Sequence, residues 1–277
     1  MDFKDKEALD FSFNIRKKIL EMSFNAGAAS AHIGGALSCA DIISVIFSNF
    51  LNYNEGNPFW EERDRFILSK GHACLAYYTA LHQIGMLKDK DLLSFEKDNS
   101  DLAGHPVKNL KKGIEFSTGS LGMGISIAVG LGIAFKKKKM NNKIFVIVGD
   151  GECNEGSNWE SLMTAAHYQL DNLIIFIDKN NFQQTGTCED ILKTDNLSEK
   201  FRSFNCFSQE IDGHDHFQIY KAISKNLNEP RPNLIVANTI KGKGIDIFEN
   251  KNEWHHSVLS KKIYEEALNN LNKNYGY

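Results

Sequence analysis

The sequence lacks a Cys-x-x-Cys pair, an even number of cysteines, a strong charge of either sign and any long hydrophobic run. Its five cysteines, at 39, 74, 153, 188 and 206, read as reduced thiols of a cytoplasmic protein and exclude a disulfide framework. A formal net charge of -3 gives no electrostatic reason to expect nucleic acid or an anionic membrane as a partner. No apolar run reaches transmembrane length, and the N-terminus, MDFKDKEALDFSFNIRKKIL, lacks the basic, apolar and small-residue order of a signal peptide. Also missing are internal repeats, low-complexity linkers and any composition shift that would mark a domain boundary. The expectation is a cytoplasmic chain forming a single domain over residues 1–277, with small molecules or other proteins as partners.

What is present suits a sizeable core: 42% of the residues are hydrophobic and 24% charged. Apolar residues at mixed three- and four-residue steps (Phe11, Ile15, Ile19, Met22) predict an amphipathic helix over 11–24. The next segment, SAHIGGALSCADIISVIF, opens with small residues and turns helical. A short strand is predicted at 65–69, followed at once by the helix pattern KGHACLAYYTALHQIG. The glycine-rich stretch 117–126 leads into an apolar helix ending near Phe135, and Lys136 to Lys139 read as its solvated, dipole-compensating end. Apolar runs at 143–150, 172–179 and 233–240 predict strands, 207–212 gives a weaker one, and LSKKIYEEALNNLN a closing helix. Continuous apolar strands alternating with helices indicate an α/β fold, a mostly parallel central sheet with helices on both faces.

The stretch from Gly149 to Asn181 carries the chemistry. KIFVIVGD, a helix from about Glu155 to Leu170, and NLIIFIDK form one βαβ unit, whose crossover is right-handed. If the two strands are neighbours, their carboxyl ends open on one sheet edge, where ligands of open α/β sheets bind. Asp150 and Asn180 then converge. One carboxylate, one amide oxygen and a nearby main-chain carbonyl make a hard oxygen site suited to Mg²⁺ or Ca²⁺, and a single protein anion implies a phosphate-bearing partner. Gly149 and Gly151 allow main-chain N–H groups to approach an anion closely, and the following helix adds the positive end of its dipole. Taken singly, Gly-Asp-Gly is a common turn and Asn-Asn a common loop; the spacing and the strand-end placement together carry the reading.

These residues resemble the thiamine diphosphate enzymes, in which GDG is followed about thirty residues later by an asparagine, here Asn180 in DKNNFQQTG. SAHIGG, DRFILSKGHA, AGHP, TGSLGMGIS, GDGECNEG and KGKG…WHHS occur in the order expected of the transketolase family's diphosphate-binding domain, over about residues 10–260. The resemblance implies a thiamine diphosphate-binding fold in which Asp150, the Asn180 side chain and the main-chain carbonyl of Phe182 hold Mg²⁺, with Ca²⁺ as a substitute. It implies that His72, Gly119, Leu121, Gly149, Gly151 and His255 bind the cofactor, Leu121 against the thiazolium ring. His32, His105 and His255 are expected to contact substrate oxygens, since an ordinary imidazole titrates near neutrality and suits proton traffic on sugar hydroxyls. Glu155 is implied in a carboxylate network across a dimer interface, with Glu160 a weaker candidate; read locally, both simply stabilise a helix start. His82, His167, His214 and His216 are left structural or surface roles, and DGHD at 212–215 reads as a capped strand-to-helix turn.

The family's activating glutamate belongs to a second, pyrimidine-binding domain, for which this chain has no room after WHHS. The resemblance therefore implies the N-terminal subunit of a split transketolase. It would transfer a two-carbon ketol unit from a ketose phosphate to an aldose phosphate, as in the pentose phosphate pathway. A C-terminal partner subunit, carrying pyrimidine-binding and C-terminal domains, is expected in a two-plus-two assembly. The alternatives are part of a thiamine enzyme that acts on an unusual sugar or a 2-oxoacid, and a non-catalytic thiamine-fold scaffold. GSLGMG (119–124) raises a nucleotide-binding oxidoreductase only weakly, because no apolar strand immediately precedes it. Two departures from the family stand out: Met123 sits where relatives often carry Gln, and WHHS replaces the commoner Trp-His-Gly, so His255 is preferred and His256 is the alternative.

Overall fold

The computed structural model describes residues 3–226 and 229–276. Its centre is a five-stranded sheet: β1 (Arg65–Leu68), β2 (Ile144–Gly149), β3 (Leu173–Lys179), β4 (Phe207–Asp212) and β5 (Asn233–Asn238). The order is β1-β2-β3-β5-β4 and every pairing is parallel. β2, β3 and β5 are continuous apolar runs because both their faces are covered. β4 lies at the edge and only Ser208 in it is buried, which is why its signal is weaker.

Side chains alternate between two cores, as the twofold period of a strand requires. Phe145, Ile147, Ile174, Phe176 and Ile235 pack on one face against α1 (Asp5–Ala26), α2 (Cys74–Gln83) and the C-terminal helix Lys261–Tyr275. Ile144, Val146, Val148, Ile175, Ile177 and Val236 pack on the other against α3 (Met123–Lys137) and α4 (Gly156–His167). The expected three-layer α/β architecture is what the chain adopts. No helix among the described residues is long and apolar enough to cross a membrane.

Two predicted helical stretches form with local breaks. The segment that opens with SAHIGG forms two helices, Ile33–Ser38, which begins within that motif, and Ala40–Val45, separated at Cys39, whose ψ of 6° leaves the helical region. After Asp150 the chain makes a four-residue turn, Gly151–Asn154, before α4 begins at Gly156, within a residue of the predicted start and three residues short of the predicted end.

The β2–β3 register places Gly149 beside Asp178, so the loops bearing Asp150 and Asn180 leave the sheet side by side. The loops facing them are packed backbone against backbone. A Cβ on Gly71 would lie 2.6 Å from the Gly119 nitrogen, and one on Gly119, which has φ +126°, would lie 2.6 Å from Cδ2 of His105. Only glycine fits at either position.

Candidate active site

At the carboxyl ends of β2 and β3 lies a cavity of about 640 Å³. Every residue singled out from the sequence for cofactor, metal or substrate lines it: His32, His72, His105, Gly119, Leu121, Gly149, Asp150, Gly151, Glu155, Asn180, Phe182 and His255. Asp150 is buried; its Oδ1 accepts from the Gly151 N–H at 2.8 Å and its Oδ2 from the Asn181 N–H at 2.6 Å. Asn180 Oδ1 accepts from the Phe182 N–H at 3.0 Å, and its Nδ2 faces Asp178 Oδ2 at 3.4 Å. Burial, with Asp178 close by, pushes the Asp150 carboxyl up to about 6.

Opposite this pair the imidazoles gather around His32, whose ring centre is 5.6 Å from those of His72 and His105, 5.4 Å from His255 and 4.3 Å from His256. His72 and His255 stack at 5.3 Å. Two loops close to form this ring: a backbone bridge joins Ala31 to Ser257, and Ser30 Oγ lies 2.9 Å from His256 Nε2.

A family description, the thiamine diphosphate binding domain of transketolase, matches residues 13–277. The chain belongs to the transketolase family. It is 41% identical to an apulose-4-phosphate transketolase subunit of Actinobacillus succinogenes, over 93% of each chain. It is 36% identical to a 6-deoxy-6-sulfo-D-fructose transketolase subunit of Clostridium sp. strain MSTE9, over 94% of each. The crystal structure of transketolase from Campylobacter jejuni superposes with a TM-score of 0.87 at 30% identity, covering 100% of this chain and 43% of that one. The chain thus spans less than half of that protein but nearly all of the two subunits.

Within this transketolase-family site, one expectation fails on physical grounds. His32, His72 and His255 are not the near-neutral titrating groups that their residue type suggests: burial, with His256 and His105 adding, lowers His32 to about 4. Burial and then Lys241 lower His255 to about 3, while burial and then Lys70 hold His72 well below the ordinary imidazole value. In the chain alone these three are neutral at pH 7, each able to accept at one ring nitrogen and donate from the other. Their depressed folded-state values mean that the unfolded chain takes up protons first as the pH falls through about 6.5. Stability of the ligand-free chain is therefore expected to fall steadily from pH 7 towards pH 4. Thermal melts across that range check this, and a His32→Gln/His255→Gln chain should show a flatter decline.

Four charged residues important to the site escape a reading of the sequence. Glu152 is buried and accepts from the Gly122 N–H at 2.9 Å, the Gly149 N–H at 3.2 Å and the Ser69 hydroxyl. It ties the loop after β1, the entry to α3 and the GDG loop into one knot. Glu155, by contrast, is exposed at the N-cap of α4, where its side chain makes no capping bond and its charge faces the positive end of the helix dipole. Lys70 and Asp178 form an ion pair with side chains 1% and 0% exposed. Lys70 also donates to the Gly35 carbonyl at 2.9 Å, and Asp178 accepts from Ser38 at 2.6 Å and from Thr239. Asp178 was legible in principle, as the lone acid inside an otherwise apolar strand.

Lys241 is the fourth. It is 1% exposed, and its Nζ donates to Asn252 Oδ1 at 2.7 Å and to the Gln183 carbonyl at 3.2 Å, with His255 Nδ1 at 3.1 Å. Burial, then the neighbouring Lys70, brings its amine down to about 8. No carboxylate among the described residues pairs with it.

The residues present fit both halves of a metal–diphosphate group. A buried carboxylate with no cation paired to it, beside an amide oxygen, is a donor set for a hard divalent ion, and each of those oxygens keeps a lone pair beyond its backbone bond. No cluster of three or more His, Cys, Asp or Glu side chains suited to a metal occurs among the described residues, which leaves this oxygen set as the candidate. Lys241 stands behind the cavity lining, 3.1 Å from Nδ1 of the lining residue His255, and a buried lysine without a paired carboxylate there suits an anion. GSLGMG enters α3 from a loop with no strand directly before it, so the dinucleotide-binding geometry is not formed.

Proposed function

We propose that this chain is one domain over residues 1–277 and acts as the N-terminal, diphosphate-binding subunit of a split transketolase in the cytoplasm. It transfers a two-carbon ketol unit from a ketose phosphate to an aldose phosphate, using thiamine diphosphate and Mg²⁺ together with a C-terminal partner subunit. The observation that carries the reading is the convergence of Asp150, Asn180 and the histidine ring on one cavity at the strand ends.

In this reading Asp150, the Asn180 amide oxygen and the Phe182 carbonyl hold the metal. His72, His255, Lys241 and the backbone at Gly149 and Gly151 hold the diphosphate, with Leu121 and Gly119 beside the ring system. When bound, the cofactor supplies the electron sink for the carbanion formed on the donor sugar. His32, His105 and His255 orient the sugar oxygens and pass protons between them, and the anionic diphosphate offsets the neighbouring lysine charges that, after burial, lower His255.

The disposition of the carboxylates that line the cavity supports a partner. Asp150 and Glu152 are committed to backbone groups around the metal loop, which leaves exposed Glu155 as the third, suited to contact across an assembly interface. In this reading the acid that activates the cofactor's other ring comes from the C-terminal partner subunit, in a two-plus-two assembly. The likeness to proteins named as subunits favours the same conclusion.

A second reading, that the donor is an unusual sugar and not a pentose phosphate pathway ketose, is favoured by the names of those two relatives. The test is ketol transfer to ribose 5-phosphate by this chain co-purified with the product of the adjacent reading frame, with either xylulose 5-phosphate or apulose 4-phosphate as donor. The mixture is expected to turn over at least one donor, and the chain alone at under about a hundredth of that rate, the order of loss when one essential catalytic group is removed. Comparable rates for chain and mixture would end the split-enzyme reading. Inactivity with both donors despite bound cofactor would point to another sugar or a different thiamine reaction, and absence of cofactor binding as well would leave the scaffold.

A further inference from the structure

We propose that His214 is a positioning residue for the diphosphate site, acting through the backbone turn that carries Lys241. The proposal rests on the reading of Lys241 as a diphosphate ligand given above. Asp41 is buried between the layers, and Arg16 grips it with Nη1 to Oδ1 at 2.8 Å and Nη2 to Oδ2 at 2.6 Å. The same carboxylate takes His214 Nδ1 at 2.8 Å and His216 Nε2 at 3.1 Å.

The other end of each group reaches the turn. The Ile240 N–H donates to His214 Nε2 at 2.8 Å, and Arg16 Nε donates to the Lys243 carbonyl at 2.9 Å. His214 therefore carries its proton on Nδ1, and its tautomer is set by the two bonds together. Between those anchors the turn closes by Lys243 N–H to the Ile240 carbonyl at 3.1 Å, and Gly242 N–H donates to the Gly34 carbonyl at 3.0 Å. One buried carboxylate thus clamps both ends of a four-residue turn whose second residue is Lys241. The ammonium at its tip makes contacts of 2.7–3.2 Å, which a backbone displacement of about 1 Å would break.

The histidine's two bonds can be separated. Asparagine places a donor where Nδ1 stands and keeps the tie to Asp41, but leaves Ile240 without an acceptor; glutamine can place its oxygen near Nε2 and restore that acceptor. The experiment is calorimetric titration of inorganic pyrophosphate, with Mg²⁺, into the full chain free of cofactor, with a thermal melt of every variant. Lys241→Met is expected to weaken pyrophosphate by about tenfold or more, the scale of a charge-assisted hydrogen bond. His214→Asn should weaken it by about fivefold in the native background, His214→Gln should recover to within about twofold, and His214→Asn should add nothing on the Lys241→Met background.

A merely structural histidine predicts the opposite ranking, with asparagine tolerated and its effect independent of Lys241; either result overturns the proposal. If Lys241→Met leaves pyrophosphate binding unchanged, the reading of Lys241 fails and takes the positioning role with it. If His214→Asn does not fold, the glutamine chain decides: a folded His214→Gln that loses tenfold sinks the idea, and near-native affinity sustains it.

Discussion

An Asp150→Asn chain, combined with its partner subunit, is expected to lose ketol transfer by more than about a hundredfold while keeping its fold. Removing the outer partner of a metal ligand typically costs about 10–100-fold in metal affinity or activity, and Asp150 is the one anionic donor of the proposed set. Asparagine keeps the shape and one carbonyl oxygen, so the Gly151 or Asn181 N–H retains an acceptor and the loop has no reason to collapse. Magnesium titration by calorimetry and a coupled transfer assay would be read side by side. A variant that binds Mg²⁺ as the native chain does, or retains a tenth of the activity, removes Asp150 from the metal site.

Lys70→Met is expected to cost about 3–5 kcal/mol of folding stability, the range for deleting one partner of a buried ion pair and leaving the other uncompensated. Asp178 would then be a charge with no exposure, held by the Ser38 and Thr239 hydroxyls and faced by Asn180. Urea denaturation measures the loss. Adding Asp178→Asn should recover part of it, because the stranded charge is then gone. A loss below about 1 kcal/mol would mean that water reaches the pair and that it is not the buried brace described here.

The sheet was legible because β2, β3 and β5 are runs of Val, Ile, Leu and Phe buried on both faces, which no surface element requires. β4 was fainter because an edge strand needs apolar residues on one side only. The motifs at the strand ends were legible as spacing, and all of them meet in one cavity. The charged framework was not. Lys70, Glu152 and Lys241 look like any solvated lysine or glutamate until the partners that bury them are known, and those partners lie far away in sequence. The state of the histidines was hidden for the same reason, since burial and neighbouring lysines move an imidazole and neither is a local property.

The contact of Gly71 with Gly119, and of Gly119 with His105, bears on how such a site can diversify. At the floor no side chain can be enlarged by even a methyl group, so mutation there meets a wall. The lip is different: Leu121, Ile191 and Leu192 are 38%, 42% and 57% exposed. A lineage exploring new sugars is thus channelled to a handful of permissive rim positions, and its history should be written there while the floor stays still.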